Sequence, residues 1–234
     1  MRVLAAGAHP DDLEQLCGGT LARYVREGHD VTTCTLTTGD RGSFVHTSEE
    51  IARIRAEEAA AAAAVLGTTH LCLGLSDGEV NAGDPAQRTL VIDLIRTARP
   101  DVIITHAPND YMADHNETSR LLTDASHIAT LPLLETEHPA HDTVAAVYYM
   151  DTLAGVGFLP TEYVDVTMSI DVKLDALRCH RSQLDWLLDH DGVDVVEQTR
   201  IVSAFRGFQC GVTYAEGFAP HLTWLRARTS RLLP

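Results

Sequence analysis

Short apolar runs alternate with longer segments of helical spacing through the first two thirds of the chain. Four runs are short and rich in apolar or β-branched residues, which is typical of buried strands: Arg2–Ala8, Val31–Thr37, His70–Leu73 and Val102–Thr105. The segments between them predict helices over Gly18–Glu27, Ser48–Leu66 and Pro85–Ala98. The alternation predicts an α/β, Rossmann-like fold with a mainly parallel sheet and helices on both faces.

The same pattern continues beyond residue 115. It predicts a helix over Asn116–Ala129, strands over Val144–Met150 and Tyr163–Ser169, and one long helix over Asp171–Asp189, before Tyr214–Pro220 and Leu222–Leu233 close the chain. Because no repeat, linker or abrupt change of composition marks a boundary, we expect one domain over residues 1–234. Sheets of this kind often assemble, so a homo-oligomer is compatible with the sequence.

The charge of the chain argues against two classes of partner. The 234 residues include 18 Lys and Arg against 33 Asp and Glu, a formal net charge of −15. Nucleic acids and anionic membranes are both held through basic side chains, so neither is expected as a partner. The five widely spaced cysteines form no CxxC motif, and the apolar stretch Val3–Ala8 is too short for a signal peptide. These features favour a cytoplasmic protein with reduced, buried thiols.

Polar and metal-binding residue types follow the predicted strands at their carboxyl ends. The loops are Ala8–Glu14, Thr38–Ser43, Gly74–Gly78 and His106–His115. Ligands of open α/β sheets bind outside the carboxyl ends of the strands, so we expect the functional site at this edge.

Within these loops, His9, Asp12 and His115 form the protein ligand set of a catalytic zinc ion, with one position left for water. Fe²⁺ and Co²⁺ also suit such ligands. Asp11 would be free to act as a base toward the water, whose pKa zinc lowers to about 7. Each loop alone also has a structural interpretation: a turn in which Asp12 caps the next helix, or an exposed acidic helix start before His115. Their coincidence at equivalent strand ends favours the metal site.

These loops resemble those of the PIG-L/LmbE-like zinc N-deacetylases, which include N-acetylglucosaminyl deacetylases of the phosphatidylinositol-glycan, mycothiol and bacillithiol pathways. The resemblance spans nearly the whole chain and rests on AHPDDLE and PNDYMADH, with weaker agreement in TTGDRGS, RAEEAAAAAAVLG, LGLSDGEV, KLDALRCHRSQ and YAEGF. It implies one zinc ion per chain at His9, Asp12 and His115, with Asp11 as general base.

One position departs from the family pattern. Many members carry a histidine three positions before the last ligand, where it polarises the amide carbonyl or donates a proton; this chain has Met112, whose thioether does neither. Losing such a group costs about 10²–10³ in rate unless another side chain replaces it. The candidates are Tyr111, His106 and His180. We expect His180 because its segment resembles a family motif, although a purely structural role fits it equally.

The resemblance also suggests the residues around the substrate. Arg55, Asp77, Tyr111 and Met112 are expected to bind it, and Asp114 is expected behind the ligand His115. Arg55 has a second interpretation, a surface ion pair with Glu58 three residues later.

The sequence therefore predicts a zinc hydrolase that removes an acetyl or other acyl group from the nitrogen of a small substrate, an amino sugar or its conjugate. Two alternatives remain open. One is a zinc amidase for a non-sugar N-acyl compound, such as an antibiotic precursor or a thiol conjugate. The other is a metal- or sugar-binding protein with weakened catalysis, which Met112 would explain. A nucleotide-binding sheet protein is disfavoured because its glycine-rich loop is missing.

Overall fold

The computed structural model describes residues 1–224, and its centre is a seven-stranded sheet. The strands are β1 (Arg2–Gly7), β2 (Asp30–Thr37), β3 (Thr69–Leu75), β4 (Val102–Thr105), β5 (Ala146–Met150), β6 (Glu162–Asp165) and β7 (Ala215–Pro220). Their order is β3-β2-β1-β4-β5-β7-β6. The first five strands are parallel, and β7 is antiparallel to both β5 and β6. The predicted mainly parallel sheet is confirmed.

Helices cover both faces of this sheet, as predicted. They are α1 (Asp12–Leu16), α2 (Gly18–Arg26), α3 (Ser48–Leu66), α4 (Pro85–Ala98), α5 (Ala113–Ile128), α6 (Ile170–Leu177), α7 (Arg181–Asp191) and α8 (Val195–Cys210). One apolar core joins α4 and α5 to the sheet, and a second joins α1, α2, α3 and α6 to its other face. No helix within residues 1–224 is long and apolar enough to cross a membrane.

The topology brings two distant loops together. Strands β1 and β4 are neighbours, with Ala6 opposite Thr105 at their carboxyl ends. The loop at Ala8–Asp11 and the loop at His106–Met112 therefore leave the sheet side by side. Strand β2 lies on the other side of β1, and Thr37 donates through both its amide and its hydroxyl to the Ala8 carbonyl, which fixes the start of the first loop.

The long helix predicted over Asp171–Asp189 is wrong, because the structure has two helices there, α6 and α7. Helix α6 ends in a tight turn in which the amides of Cys179 and His180 bond carbonyls three residues back. The apolar spacing continues through this turn, which contains neither glycine nor proline, so the break left no mark in the pattern. Helix α8 was not predicted at all.

Smaller differences concern burial and length. Strand β3 lies at the sheet edge and is only partly buried, and β6 ends at Asp165 rather than Ser169. Buried cysteines were expected throughout, but Cys72 and Cys210 are exposed. The closing segment predicted at Leu222–Leu233 lies mostly outside the described residues.

Candidate metal centre and substrate cavity

The loop after β1 is a tight turn that places two carboxylates next to each other. The Asp12 amide donates to the His9 carbonyl, and the His9 amide donates to Asp12 Oδ2 at 2.7 Å. Asp12 is the first residue of α1 and does not cap it, since the residue at the cap is Asp11 and its side chain makes no capping bond. The Asp12 carboxylate instead turns back toward His9.

His9, Asp12 and His115 converge at this point. Their donor atoms all lie within 4.8 Å of one another. Asp12 is 3.6 Å from His9 Nδ1 and 3.3 Å from His115 Nε2. Ligands at about 2.1 Å from a tetrahedral zinc ion are about 3.4 Å apart, so these spacings fit such an ion. His115 Nε2 is also buried without a hydrogen-bond partner among the described residues, as a nitrogen reserved for a metal would be.

Three further side chains hold the converging residues from outside. Asp114 Oδ2 lies 3.1 Å from His9 Nε2, and Asp110 Oδ2 lies 3.0 Å from His115 Nδ1. The expectation that Asp114 stands behind His115 is therefore wrong: Asp114 supports His9, and Asp110, which the sequence analysis missed, supports His115. The ring of His106 stacks on His115 at 3.8 Å.

The carboxylates give the site a strongly negative field. Burial by itself lowers the pKa of His9, but its hydrogen bonds to Asp114 and Asp12 outweigh this effect and raise the pKa to about 10. Burial likewise lowers the pKa of His115, while Asp12 and Asp110 raise it to about 9. Both imidazoles are therefore in surroundings that stabilise positive charge, which a divalent cation would supply.

Asp11 is held beside this centre in a strained backbone conformation, with a φ of 104°. Its Oδ2 accepts a 2.8 Å hydrogen bond from Gln15, and its Oδ1 lies 3.4 Å from the Arg55 guanidinium. Burial raises the pKa of Asp11 to about 6, against the opposing charge of Arg55. Gln15 was missed in the sequence, where a lone glutamine on a short helix carries no catalytic signal.

Arg55 is buried, with only 2% of the residue exposed. The alternative interpretation, a surface ion pair with Glu58, is therefore wrong. Its guanidinium donates to the carbonyls of Pro10 at 2.6 Å and Gly39 at 3.2 Å, on either side of the site. Gly39 has a φ of +73°, and a Cβ there would lie 2.5 Å from Arg55. Glu58 accepts hydrogen bonds from Ser182 instead.

A cavity of about 800 Å³ opens above these residues. Most predicted site residues line it: His9, Asp11, Asp12, Arg55, Asp77, Tyr111, Met112 and Asp114. Asp77 also accepts the amide of Gly39 at 3.0 Å, which ties the cavity wall to the loop after β2.

His180 is not among the residues that line this cavity in the described part of the chain. It is 1% exposed at the start of α7, with Nε2 3.3 Å from Glu14. Burial lowers the pKa of His180, but Glu14 and Asp11 raise it above its ordinary value. His106 is fully buried, beneath Asp12. Of the three expected replacements for the missing histidine, only Tyr111 borders the cavity. The donor role of His180 stays a prediction from the sequence.

The parallel sheet with a His, Asp, His cluster at its carboxyl edge defines an α/β protein with a candidate metal centre. The model of one family, PIG-L, described as GlcNAc-PI de-N-acetylase, matches residues 4–126. The chain belongs to the PIG-L family, as the resemblance of its loops predicted.

Individual proteins extend the comparison. Diacetylchitobiose deacetylase from Thermococcus kodakarensis is 29% identical over 227 residues, covering 92% of this chain and 81% of the relative. The solved structure of N,N'-diacetylchitobiose deacetylase from Pyrococcus horikoshii, in complex with an inhibitor, superposes with a TM-score of 0.82 at 25% identity, covering 98% of this chain and 87% of that one. A 4-carboxy-2-hydroxymuconate hydratase from Pseudomonas putida reaches a TM-score of 0.83 at 22% identity over the whole of both chains, which shows a shared fold alone.

Proposed function

We propose that this protein is a zinc-dependent N-deacetylase that hydrolyses the amide of a small N-acetylated or N-acylated amino sugar, or of its conjugate. The observation that supports it most is the set of donor atoms of His9, Asp12 and His115, at zinc spacing, beside a cavity that His9, Asp11 and Asp12 line. Deacetylases of N-acetylated sugars among its relatives support the substrate class. One zinc ion per chain is proposed.

When bound, zinc polarises the amide carbonyl and acidifies water. Asp11 accepts one proton from the attacking water while the water oxygen bonds to the carbonyl carbon of the amide. Asp11 then gives this proton to the nitrogen as the C–N bond breaks, so the products are a carboxylic acid and a free amine. Gln15 and Arg55 contact the two carboxylate oxygens of Asp11 and hold them in place during both transfers.

Tyr111 is the hydroxyl donor that we propose in place of the absent histidine. Burial, together with the negative charge of Asp110, raises the pKa of Tyr111 above its ordinary value, so its hydroxyl keeps its proton at neutral pH. Its side chain borders the cavity, and the residue is 74% exposed. It would donate to the carbonyl oxygen as negative charge develops there.

The test combines metal analysis with acetate release from N-acetylglucosamine conjugates. We expect about one equivalent of zinc and hydrolysis that a chelator abolishes. Asp11→Asn should keep the metal and lose about 10²–10⁴ of the turnover, whereas His9→Ala should lose both. Tyr111→Phe should lower kcat by about 10²-fold. Near wild-type turnover of Asp11→Asn would refute the assigned base, and absence of metal after addition of zinc would refute the centre.

The cytoplasmic location, the homo-oligomer and the single domain over residues 1–234 stay predictions from the sequence.

A further inference from the structure

The cavity above the candidate metal centre has two chemically different parts. Around the proposed ligands its wall is polar and acidic, with Asp77 and Asp114. Away from them most of it is made of aliphatic and aromatic side chains from two segments of the second half of the chain: Leu153, Val156, Trp186, Leu187, Val193 and Val195. Gln183, Asp191 and Gln198 are the polar residues of this part. A cavity of about 800 Å³ accommodates a drug-sized molecule, which is more than an acetamido sugar alone.

We infer that this apolar wall binds an apolar group carried by the substrate, so that the enzyme acts on amphipathic N-acylated amino-sugar conjugates. The inference rests on the proposed deacetylase function. The apolar group is attached either through the acyl chain or through the aglycone, since either extends from the amide into the same cavity. Burial of apolar surface would then add affinity that a bare sugar does not obtain.

The part of the wall formed by Leu153 and Val156 is held in place by contacts within the protein. Arg206 and Asp151 form a buried ion pair at 2.6 Å, and Arg206 also donates to the Phe158 carbonyl. The Thr152 hydroxyl donates to the Val156 carbonyl at 2.7 Å, which closes the loop on itself. Ala154 adopts a φ of 56°, a strained conformation that this network maintains. A preformed apolar surface binds its ligand with little cost of ordering.

Exposure points to a ligand on this surface. Val156 is 72% exposed although it lines the cavity, so an apolar ligand would remove it from water. The rings of Phe44 and His190 both contact Trp186, at 4.2 and 4.9 Å, yet lie only 5.8 Å from each other. That separation is too short for the rings of Phe44 and His190 to lie on opposite faces of the Trp186 indole. These two rings therefore do not cover both faces of Trp186.

Gln183 contributes a buried polar atom to this wall. Gln183 Oε1 is buried without a hydrogen-bond partner among the described residues, and Gln183 lines the same cavity beside Trp186 and Gly42. It would accept a hydrogen bond from a hydroxyl of the sugar. The pairing of this oxygen with an apolar wall fits an amphipathic ligand better than a fully polar one.

The test measures binding by calorimetry to the zinc-loaded Asp11→Asn protein, so that turnover does not interfere. One substrate series keeps the N-acetyl group and lengthens a glucosamine β-glycoside from methyl to butyl and hexyl. The other keeps the methyl glycoside and lengthens the acyl chain from acetyl to butanoyl and hexanoyl. Each buried methylene gives about fourfold in affinity, so burial of two should give at least about tenfold in one series.

The matched variants are Val156→Asp and Leu159→Asp, made in the same background. Both residues are highly exposed in the same region, but Leu159, 86% exposed, does not line the cavity. We expect Val156→Asp to abolish the gain with chain length and Leu159→Asp to retain it. The series that shows the gain identifies whether the acyl chain or the aglycone occupies the wall.

Equal affinities along both series, no measurable binding by any member, or a gain that survives Val156→Asp would overturn the inference. The proposed function is decided separately, by wild-type turnover of each member of both series. Turnover without a chain-length effect refutes the apolar wall alone. A chain-length effect in binding without hydrolysis of any member supports the wall and refutes the deacetylase.

Discussion

Asp110 Oδ2 lies 3.0 Å from Nδ1 of His115, across the junction between the loop after β4 and helix α5. The Asp110 side chain is only 1% exposed and leaves the opposite ring nitrogen of His115 facing Asp12. A carboxylate in this position fixes the tautomer of a metal-binding imidazole and increases its basicity.

Replacement of Asp110 should weaken the metal centre without removing a ligand. We expect Asp110→Ala to lower zinc affinity about 10–100-fold, measured by competition with a chromogenic chelator. Asp124→Ala, on the exposed side of α5, serves as control and should leave affinity unchanged. Unchanged affinity in Asp110→Ala would show that His115 does not depend on this contact, or is not a ligand.

A variant of Arg55 distinguishes two roles for this residue, which are the positioning of Asp11 and contact with the substrate. Lysine lacks the planar fork that reaches two carbonyls and the carboxylate together, so we expect Arg55→Lys to lower kcat about 10²-fold with little change in KM. The exposed neighbour variant Arg53→Lys, on the same helix, should behave as wild type. A raised KM with unchanged kcat in Arg55→Lys would instead assign Arg55 to substrate binding, as the family resemblance implied.

Met112 offers a gain-of-function test. It stands at the start of α5 and lines the cavity, at the position where many family members carry histidine. In the Tyr111→Phe background, which lacks the proposed donor, we expect Met112→His to raise kcat about tenfold or more by adding a proton donor, while Met112→Leu, which preserves the apolar character, should not. Equal kcat for the histidine and leucine variants in that background would contradict a shortage of proton donors in Tyr111→Phe.

A buried ion pair away from the cavity gives a prediction about stability. Lys173 and Glu216 are 1% and 3% exposed, and Glu216 also accepts the amides of Gly19 and Thr20 at the start of α2. Glu216→Gln should reduce the free energy of unfolding by about 3–5 kcal/mol, because it leaves the buried ammonium uncompensated.

Urea unfolding measures that loss, and Glu197→Gln is the matched control. Glu197 forms its ion pair with Arg200 in solvent, three residues away on α8. Exposed pairs contribute little, so we expect the urea midpoint of Glu197→Gln to stay at the wild-type value. Equal midpoints for both variants would contradict a structural role for Lys173 and Glu216.

The sequence predicted the parallel strands β1 to β5 well, because each is a short run rich in apolar or β-branched residues that is followed by polar residues. It could not predict α8, whose surfaces invert the usual pattern: Phe205 and Phe208 are exposed, whereas Arg206 is buried against Asp151. No periodic pattern of hydrophobicity shows such a helix.

The proposed ligands could be found from the sequence because they follow adjacent strands, but their supporting carboxylates could not be assigned. Asp110 and Asp114 both lie within five positions of His115, and only the path of the chain into α5 directs one to His115 and the other to His9. Gln15 and the apolar wall were missed for a similar reason, since ordinary side chains acquire their role from tertiary packing.

Strand β7 lies between β5 and β6 in the sheet, and the chain that connects β5 to β7 has a different role from the first 115 residues. The proposed metal ligands and base lie within the first 115 residues, whereas the apolar wall is formed by residues 153–195, between β5 and β7. We expect exchange of that later segment between relatives to alter substrate preference and to leave the proposed ligands and base in place. Substrate preference in this fold can therefore diversify as a module, independently of the chemistry that it serves.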